Sequence, residues 1–352
     1  MRSTLPIGAV QALAAAALFG LSTPIAKVLL GAIDAWLLAG LLYLGSGLGL
    51  GSVILLRRWV NGSVREARLA GRDLPRLGVV VVLGGIVGPV LLMFGLEATS
   101  SSVAALLLNL EGAFTLLIAW IVLRESVDRR IGIGAAAILL GALVVGWSPG
   151  ASISADVGAI LIAGACLCWA VDNCVTRGIS ASDPLQIACV KGCAAGLVNS
   201  AIALTHGAAL PPVAPAVAAL GVGFAGYGAS LVLFVLALRN VGAARTGAYF
   251  ATAPFIGAIG SVAMLADPVT LQLVAAAALM AVGLWLHLTE QHDHEHEHQA
   301  IEHAHAHAHD LHHQHSHGPD DPRGEPHAHR HSHARHVHSH PHFPDLHHRH
   351  EH

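Results

Sequence analysis

Residues Ala98–Ser126 read ATSSSVAALLLNLEGAFTLLIAWIVLRES, and how this stretch is read decides the fold. Its apolar run from Val103 to Leu123 spans 21 residues. That is close to the ~20 residues a helix needs to cross a hydrocarbon core roughly 30 Å thick. Glu111 falls near the middle of the run. A carboxylate at that depth costs about 2.5–3.5 kcal/mol on insertion scales, so its presence asks for a reason. Arg124 and Glu125 close the run, where headgroups and water resume.

The pattern returns 142 positions later without a gap. Asn240–Pro268, NVGAARTGAYFATAPFIGAIGSVAMLADP, sets Ala253 against Glu111 and Asp267 against Glu125. Both copies have a small-residue entry, a long apolar span and an acidic exit; only the first carries a carboxylate inside. A second echo, at an offset of 150, sets LFGLSTPIAK (Leu18–Lys27) against CWAVDNCVTR (Cys168–Arg177). Loop-length changes absorb the eight-residue difference. Five spans per copy is an odd number, so the second copy must enter the membrane upside down, as in the inverted repeats of secondary transporters.

Composition agrees. Apolar residues make up 54% of the chain and charged residues 12%, against about 25% charged in an average soluble domain. The 38 glycines suit helices that approach closely in lipid, and Gly45/Gly49, Gly47/Gly51, Gly84/Gly88 and Gly192/Gly196 have the small-xxx-small spacing. The formal net charge of −3 averages two unlike parts and names no partner. Nothing suggests nucleic-acid binding. The five cysteines, Cys166 to Cys193, fall inside two predicted spans and do not read as a disulfide framework. The N-terminal apolar run continues past Pro24 to Leu30, beyond the roughly 7–15 residues of a signal h-region, and reads as the first span.

Ten spans follow: 7–30, 35–56, 77–96, 102–123, 131–148, 157–177, 185–205, 214–237, 243–265 and 269–288. The loop Arg57–Arg76 holds six arginines, later even-numbered loops hold Arg124, Arg129, Arg130, Arg177, Arg239 and Arg245, and odd-numbered loops hold no Lys or Arg. The positive-inside rule puts both termini in the cytoplasm. The predicted fold is all-α: two inverted five-helix repeats, residues 1–148 and 149–290, followed by a His-rich tail, 291–352.

Polar groups inside spans mark sites or buried pairs. The transport-site candidates are Asn109, Glu111, Asp172, Asn173, Lys27 and Lys191. Lys27 and Lys191, the only lysines, lie near span ends where they can snorkel, or they can pair with Glu111 and Asp172. Cys168 and Asp172, like Cys189 and Cys193, are spaced i, i+4 on one helix face, either as ligands or as small apolar core residues. Pro24, Pro89 and Pro254 are expected to interrupt spans one, three and nine. No phosphate-cradling loop, nucleophile elbow or HExxH motif occurs, and an enzyme reading is set aside.

The tail carries 24 of the 26 histidines and almost nothing that could form a core, so it is expected to be disordered without a ligand. Its His-x-His spacing is metal-binding composition: His292, His294, His296, His298, His303, His305, His307, His309, His312, His313, His315 and His317 are the candidate ligands. The alternative is a pH-responsive tether.

In ALFGLSTPIAK, in SSVAALLLNLEGAFTLLIAWIVLRE and in the echo GAARTGAYFATAPFIGAIGSVAMLAD, the chain resembles the drug/metabolite transporter superfamily in its EamA-type, ten-span form. The resemblance covers about residues 5–288. It departs from the family at Glu111, where proline is usual, and in the tail, which is similar to tails of nickel- and cobalt-resistance exporters of the bacterial inner membrane. The resemblance implies no required cofactor, protons as coupling ion and membrane lipid as surroundings, and allows a homodimer. Three functions then compete, and the first of them leads. The first is export of divalent nickel or cobalt in exchange for protons, with the tail capturing metal. The second is export of a small organic metabolite or drug, with the tail as metal buffer or sensor. The third is an anchor for a metal-storage arm. Zinc and copper also bind imidazole, so the tail alone does not name the metal. An organic anion would want lysines in the cavity, a cation the acids. Reporter fusions after Arg65 and after Glu290 are both expected to read cytoplasmic; a periplasmic signal from either would break the ten-span count.

Overall fold

The computed structural model describes residues 7–61, 71–122, 129–147, 153–177, 183–241 and 243–288, and in the tail 295–298, 302–307, 327–332 and 336–339. Arg65, Arg68, Arg124, Glu125, His292, His294, His309, His312, His313, His315 and His317 lie outside the described residues.

Among the described residues ten helices are long and apolar enough to cross a membrane, which makes this a multi-pass membrane protein. Spans one and two are α1 (Ile7–Leu29) and α2 (Ala35–Asn61). Span three is α3 (Leu74–Val79), a π-helical segment (Val80–Val87) and α4 (Gly88–Ala98). Span four is broken into α5 (Ser101–Leu107) and α6 (Leu110–Ile121). Spans five, six and seven are α7 (Arg129–Gly146), α8 (Ile153–Arg177) and α9 (Pro184–Thr205). Span eight repeats the plan of span three, with α10 (Val213–Val222), a π segment (Gly223–Ala229) and α11 (Ser230–Val241). Span nine, like span four, is broken, into α12 (Ala243–Phe250) and α13 (Ala253–Leu265), and α14 (Leu271–Leu288) is span ten.

The irregularities recur in step. The two π segments begin at Val80 and Gly223, and the helices after the two breaks begin at Leu110 and Ala253, in each case 143 positions apart. α5 and α12 end at Leu107 and Phe250, also 143 apart, so the structural register is 143 where the ungapped alignment has 142. Glu111 and Pro254 thus share the second position of their helices, which corrects the alignment of Glu111 with Ala253. Packing follows the same symmetry. Span two packs on span seven and span five on span ten, while span one on eight and nine mirrors span six on three and four.

Proline explains less of this than its positions suggest. The first span runs unbroken through Pro24, and span four breaks at Leu108–Asn109 with no proline near. Pro89 and Pro254 instead stand in the first turn after an irregularity, where a missing N–H is harmless to the helix that follows.

The tail strands are β1 (Glu295–His298), β2 (Glu302–His307), β3 (His327–Ser332) and β4 (His336–Ser339). β1 pairs with β4 and β2 with β3, antiparallel, which sets His303 opposite His331 and His296 opposite His338. The period of two in His-x-His allows such pairing. Two-stranded ribbons are marginal in water, so the ladders do not make the tail a packed domain.

Small residues set the closest helix contacts. A Cβ added at Gly192 would stand 2.7 Å from Gly47 N and 2.9 Å from Tyr43 O, so α2 and α9 touch through backbone. Gly192→Val is expected to lower the thermal midpoint in detergent, by an overpacking cost of about 1–3 kcal/mol. Gly112→Ala, where an added Cβ meets nothing within 4 Å, should leave it unchanged.

Candidate functional site

Pro89 generates the centre of the bundle. In an α-helix Gly85 O would accept from residue 89, and in a π-helix Gly84 O would; Pro89 has no N–H to offer either. The cap of the π segment, Gly88 N, is engaged with Leu83 O. Both freed carbonyls are met by side chains from other spans, as lipid demands. Tyr43 Oη and Trp169 Nε1 donate to Gly84 O at 2.7 and 2.9 Å, and Asn199 Nδ2 donates to Gly85 O at 3.2 Å. Trp36 Nε1 in turn donates to Asn199 Oδ1 at 3.2 Å. Spans two, three, six and seven are thereby tied at one level.

Against this hub lies an ion pair. Lys191 Nζ donates to Asp172 Oδ2, and Thr176 Oγ1 donates to Asp172 Oδ1 at 3.1 Å. Asp172 is buried, and 19% of the Lys191 side chain is exposed. A Cβ at position 84 would collide with the Asp172 carboxylate and come within 2.7 Å of Lys191 Nζ. Glycine there is the condition for the pair to fit.

Glu111 stands at the start of α6, just past the break. The break bends span four so that α5 packs on α13 and α6 on α8. Glu111 therefore meets span six, where Asn173 Nδ2 donates to its Oε1 at 2.8 Å. Glu111 is only half-buried and Asn173 is exposed.

Four of the six sequence candidates thus form two contacts, Asp172–Lys191 and Glu111–Asn173, from adjacent residues of α8. The other two lie elsewhere. Asn109 is buried at the break and donates to Leu106 O at 2.9 Å; Thr252 does the same at the second break, donating to Tyr249 O at 2.6 Å. Lys27 donates to Leu96 O, Glu97 O (3.3 Å) and Thr99 O (3.0 Å), capping the end of span three instead of pairing with an acid. The thiols also serve backbone: Cys166 Sγ donates to Leu107 O at 3.6 Å, and Cys189 Sγ to Gly47 O at 3.3 Å.

A cavity of about 270 Å³ opens beside Lys191. Its walls are Phe19, Tyr43, Tyr227, Phe234 and Phe250, with Ser46, Ala188, Gly192, Gly226, Ser230 and Leu231 between them. The rings lean on one another: Phe19–Tyr227 and Tyr43–Tyr227 centroids are 5.8 Å apart, Phe234–Phe250 4.9 Å. Lys191 is the charged member of this wall; Glu111 and Asp172 are not part of it. Sequence reasoning missed the aromatic wall and the donors to Gly84 and Gly85. Pro89 four and five residues after two glycines was the available signal.

Residues 6–147 and 156–289 each match the EamA-like transporter family. An "Uncharacterized transporter" of Methanothermobacter thermautotrophicus is 27% identical over 274 residues, covering 74% of this chain and 80% of that one. A solved structure described as "Crystal structure of protein" superposes with a TM-score of 0.59 at 16% identity, over 81% of this chain and 96% of that one; it shares the fold.

The ion pair makes a testable asymmetry. Lys191→Met leaves Asp172 buried without its partner and is expected to destabilise the bundle by about 3–5 kcal/mol. Adding Asp172→Leu removes the orphaned charge and should recover most of that loss, a coupling readable in a double-mutant cycle of thermal unfolding in detergent.

Proposed function

We infer that this chain, which belongs to the EamA-like transporter family, exports a small organic solute with an apolar or aromatic body and an anionic group. The observation that carries this reading is the cavity wall: five aromatic rings and one lysine. Its volume of about 270 Å³ lies just below the roughly 300–1,000 Å³ of usual ligand pockets, which suits a small solute. Lys191 gives one donor to Asp172 and keeps others for a carboxylate or similar acceptor. The rings stack on the solute's body. Glu111, held by Asn173 at the fork, is the group that takes up and releases the coupling proton. Both termini lie on the cytoplasmic side of a bacterial inner membrane, where the arginine-bearing loops stay.

Export of nickel or cobalt for protons remains the second reading, favoured by the tail with its 24 histidines. Among the described residues no group of three or more His, Cys, Asp and Glu side chains is arranged to hold a metal ion. On the first reading the tail is a metal buffer or sensor beside the transporter, whether for nickel, cobalt, zinc or copper.

Proteoliposomes with an imposed pH gradient separate the two. Uptake of a panel of radiolabelled aromatic carboxylates should be saturable, lost in Lys191→Met and no longer accelerated by the gradient in Glu111→Gln. Gradient-driven movement of nickel or cobalt by a chain ending at Glu290, with no carboxylate moved, would overturn the organic-solute reading. Metal bound by the full chain, in excess of that bound by the shortened one, should fall steeply below about pH 6, as rings with an ordinary pKa near 6.5 take up protons and lose their lone pairs.

A further inference from the structure

The two ends of the bundle are built differently. At the end that carries the termini, the broken fourth span diverges and the cavity lies close by: Ala188 and Lys191 belong to the first turns of α9, Leu231 and Phe234 to α11, which ends span eight. Toward the opposite end the packing group of spans one, eight and nine is bound to that of spans three, four and six. Ser261 Oγ donates to Ser101 Oγ at 2.8 Å, joining spans nine and four. Lys27, in the last turn of α1, donates to three carbonyls at the end of span three. Asp267 Oδ2 accepts from Ser102 N at 2.7 Å, in the first turn of α5.

The backbone ahead of Asp267 is informative. Ala266 has φ 54 and ψ 34, a left-handed conformation that alanine adopts at a cost. It is the one non-glycine residue with positive φ among the described residues. That turn ends α13 and brings Asp267 back onto the start of α5, where four N–H groups lack helix partners and a carboxylate is favoured.

We propose that Lys27 and Asp267 are the positioning residues of a latch that closes the end opposite the termini, and that both contacts release in every transport cycle. Lys27 joins span one to span three, and Asp267 joins span nine to span four, so both contacts tie the packing group of spans one, eight and nine to that of spans three, four and six, and parting those groups at that end requires both to release. The duplicated sequence sets Arg177 at the place aligned with Lys27, a cation again.

The test reads access to the cavity, so it needs no knowledge of the solute and its outcome is separate from that of the organic-solute reading. A cysteine placed on the cavity wall, Ala188→Cys, is labelled in sided vesicles with a membrane-impermeant maleimide applied to the face opposite the termini. The same protein without that cysteine subtracts the native thiols. Asp267→Asn or Lys27→Gln should each raise the labelling rate from that face by about tenfold, the shift expected when a hydrogen bond to a charged group is lost. Lys27→Arg keeps a cation and donors and should label at the parental rate. Asp267→Asn is nearly isosteric, so it carries the test if Lys27→Gln does not accumulate. An unchanged labelling rate in folded Asp267→Asn, even with a lowered thermal midpoint, would reduce these contacts to ordinary helix caps and overturn the latch.

Discussion

Inside a bilayer a carbonyl that loses its helix partner has no water to turn to, and that constraint organises this protein. In span three and at the breaks of spans four and nine, the departures from a regular α-helix are answered by named side chains. Pro89 leaves Gly84 O and Gly85 O open, and Tyr43, Trp169 and Asn199 fill them. The break in span four is answered by Asn109 and Cys166, that in span nine by Thr252, and the end of span three by Lys27. Much of the polar inventory that a sequence reader assigns to transport thus holds irregular backbone in place. What is left over, Asp172 with Lys191 and Glu111 with Asn173, is the chemistry available to a solute or a proton.

The bundle was legible because apolar length and the absence of charge are local properties of the chain. Ten spans, the duplication and the depth of Glu111 all follow from counting along it. The irregular helices were not legible from proline alone. Pro24 is absorbed by an unbroken α1, whereas the break in span four rests on tight turns at Leu108 and Asn109 that no breaker residue announces. Lys27 and Lys191 illustrate the same limit. Both are lysines near span ends, yet one caps a neighbouring helix and the other pairs with Asp172, and that choice depends on which spans meet in space. The aromatic wall was beyond reach for the same reason, since Phe19, Tyr43, Tyr227, Phe234 and Phe250 come from spans one, two, eight and nine.

Tail and bundle speak for different chemistry. Imidazole in quantity suits borderline metals, while the cavity offers rings and an ammonium group. The two need not share a cargo: a tethered arm raises the local concentration of whatever it binds without entering the permeation path.

The unequal chemistry of the two halves has a consequence for energetics. Two identical inverted halves would be interchangeable, and a transporter built from them would rest half its time facing each way. Here the halves differ by Glu111 in place of proline and by the Asp172–Lys191 ion pair of the second half. Symmetry therefore does not fix the resting bias. Those few differences set it, and so a point substitution far from the cavity can change the direction the empty protein faces.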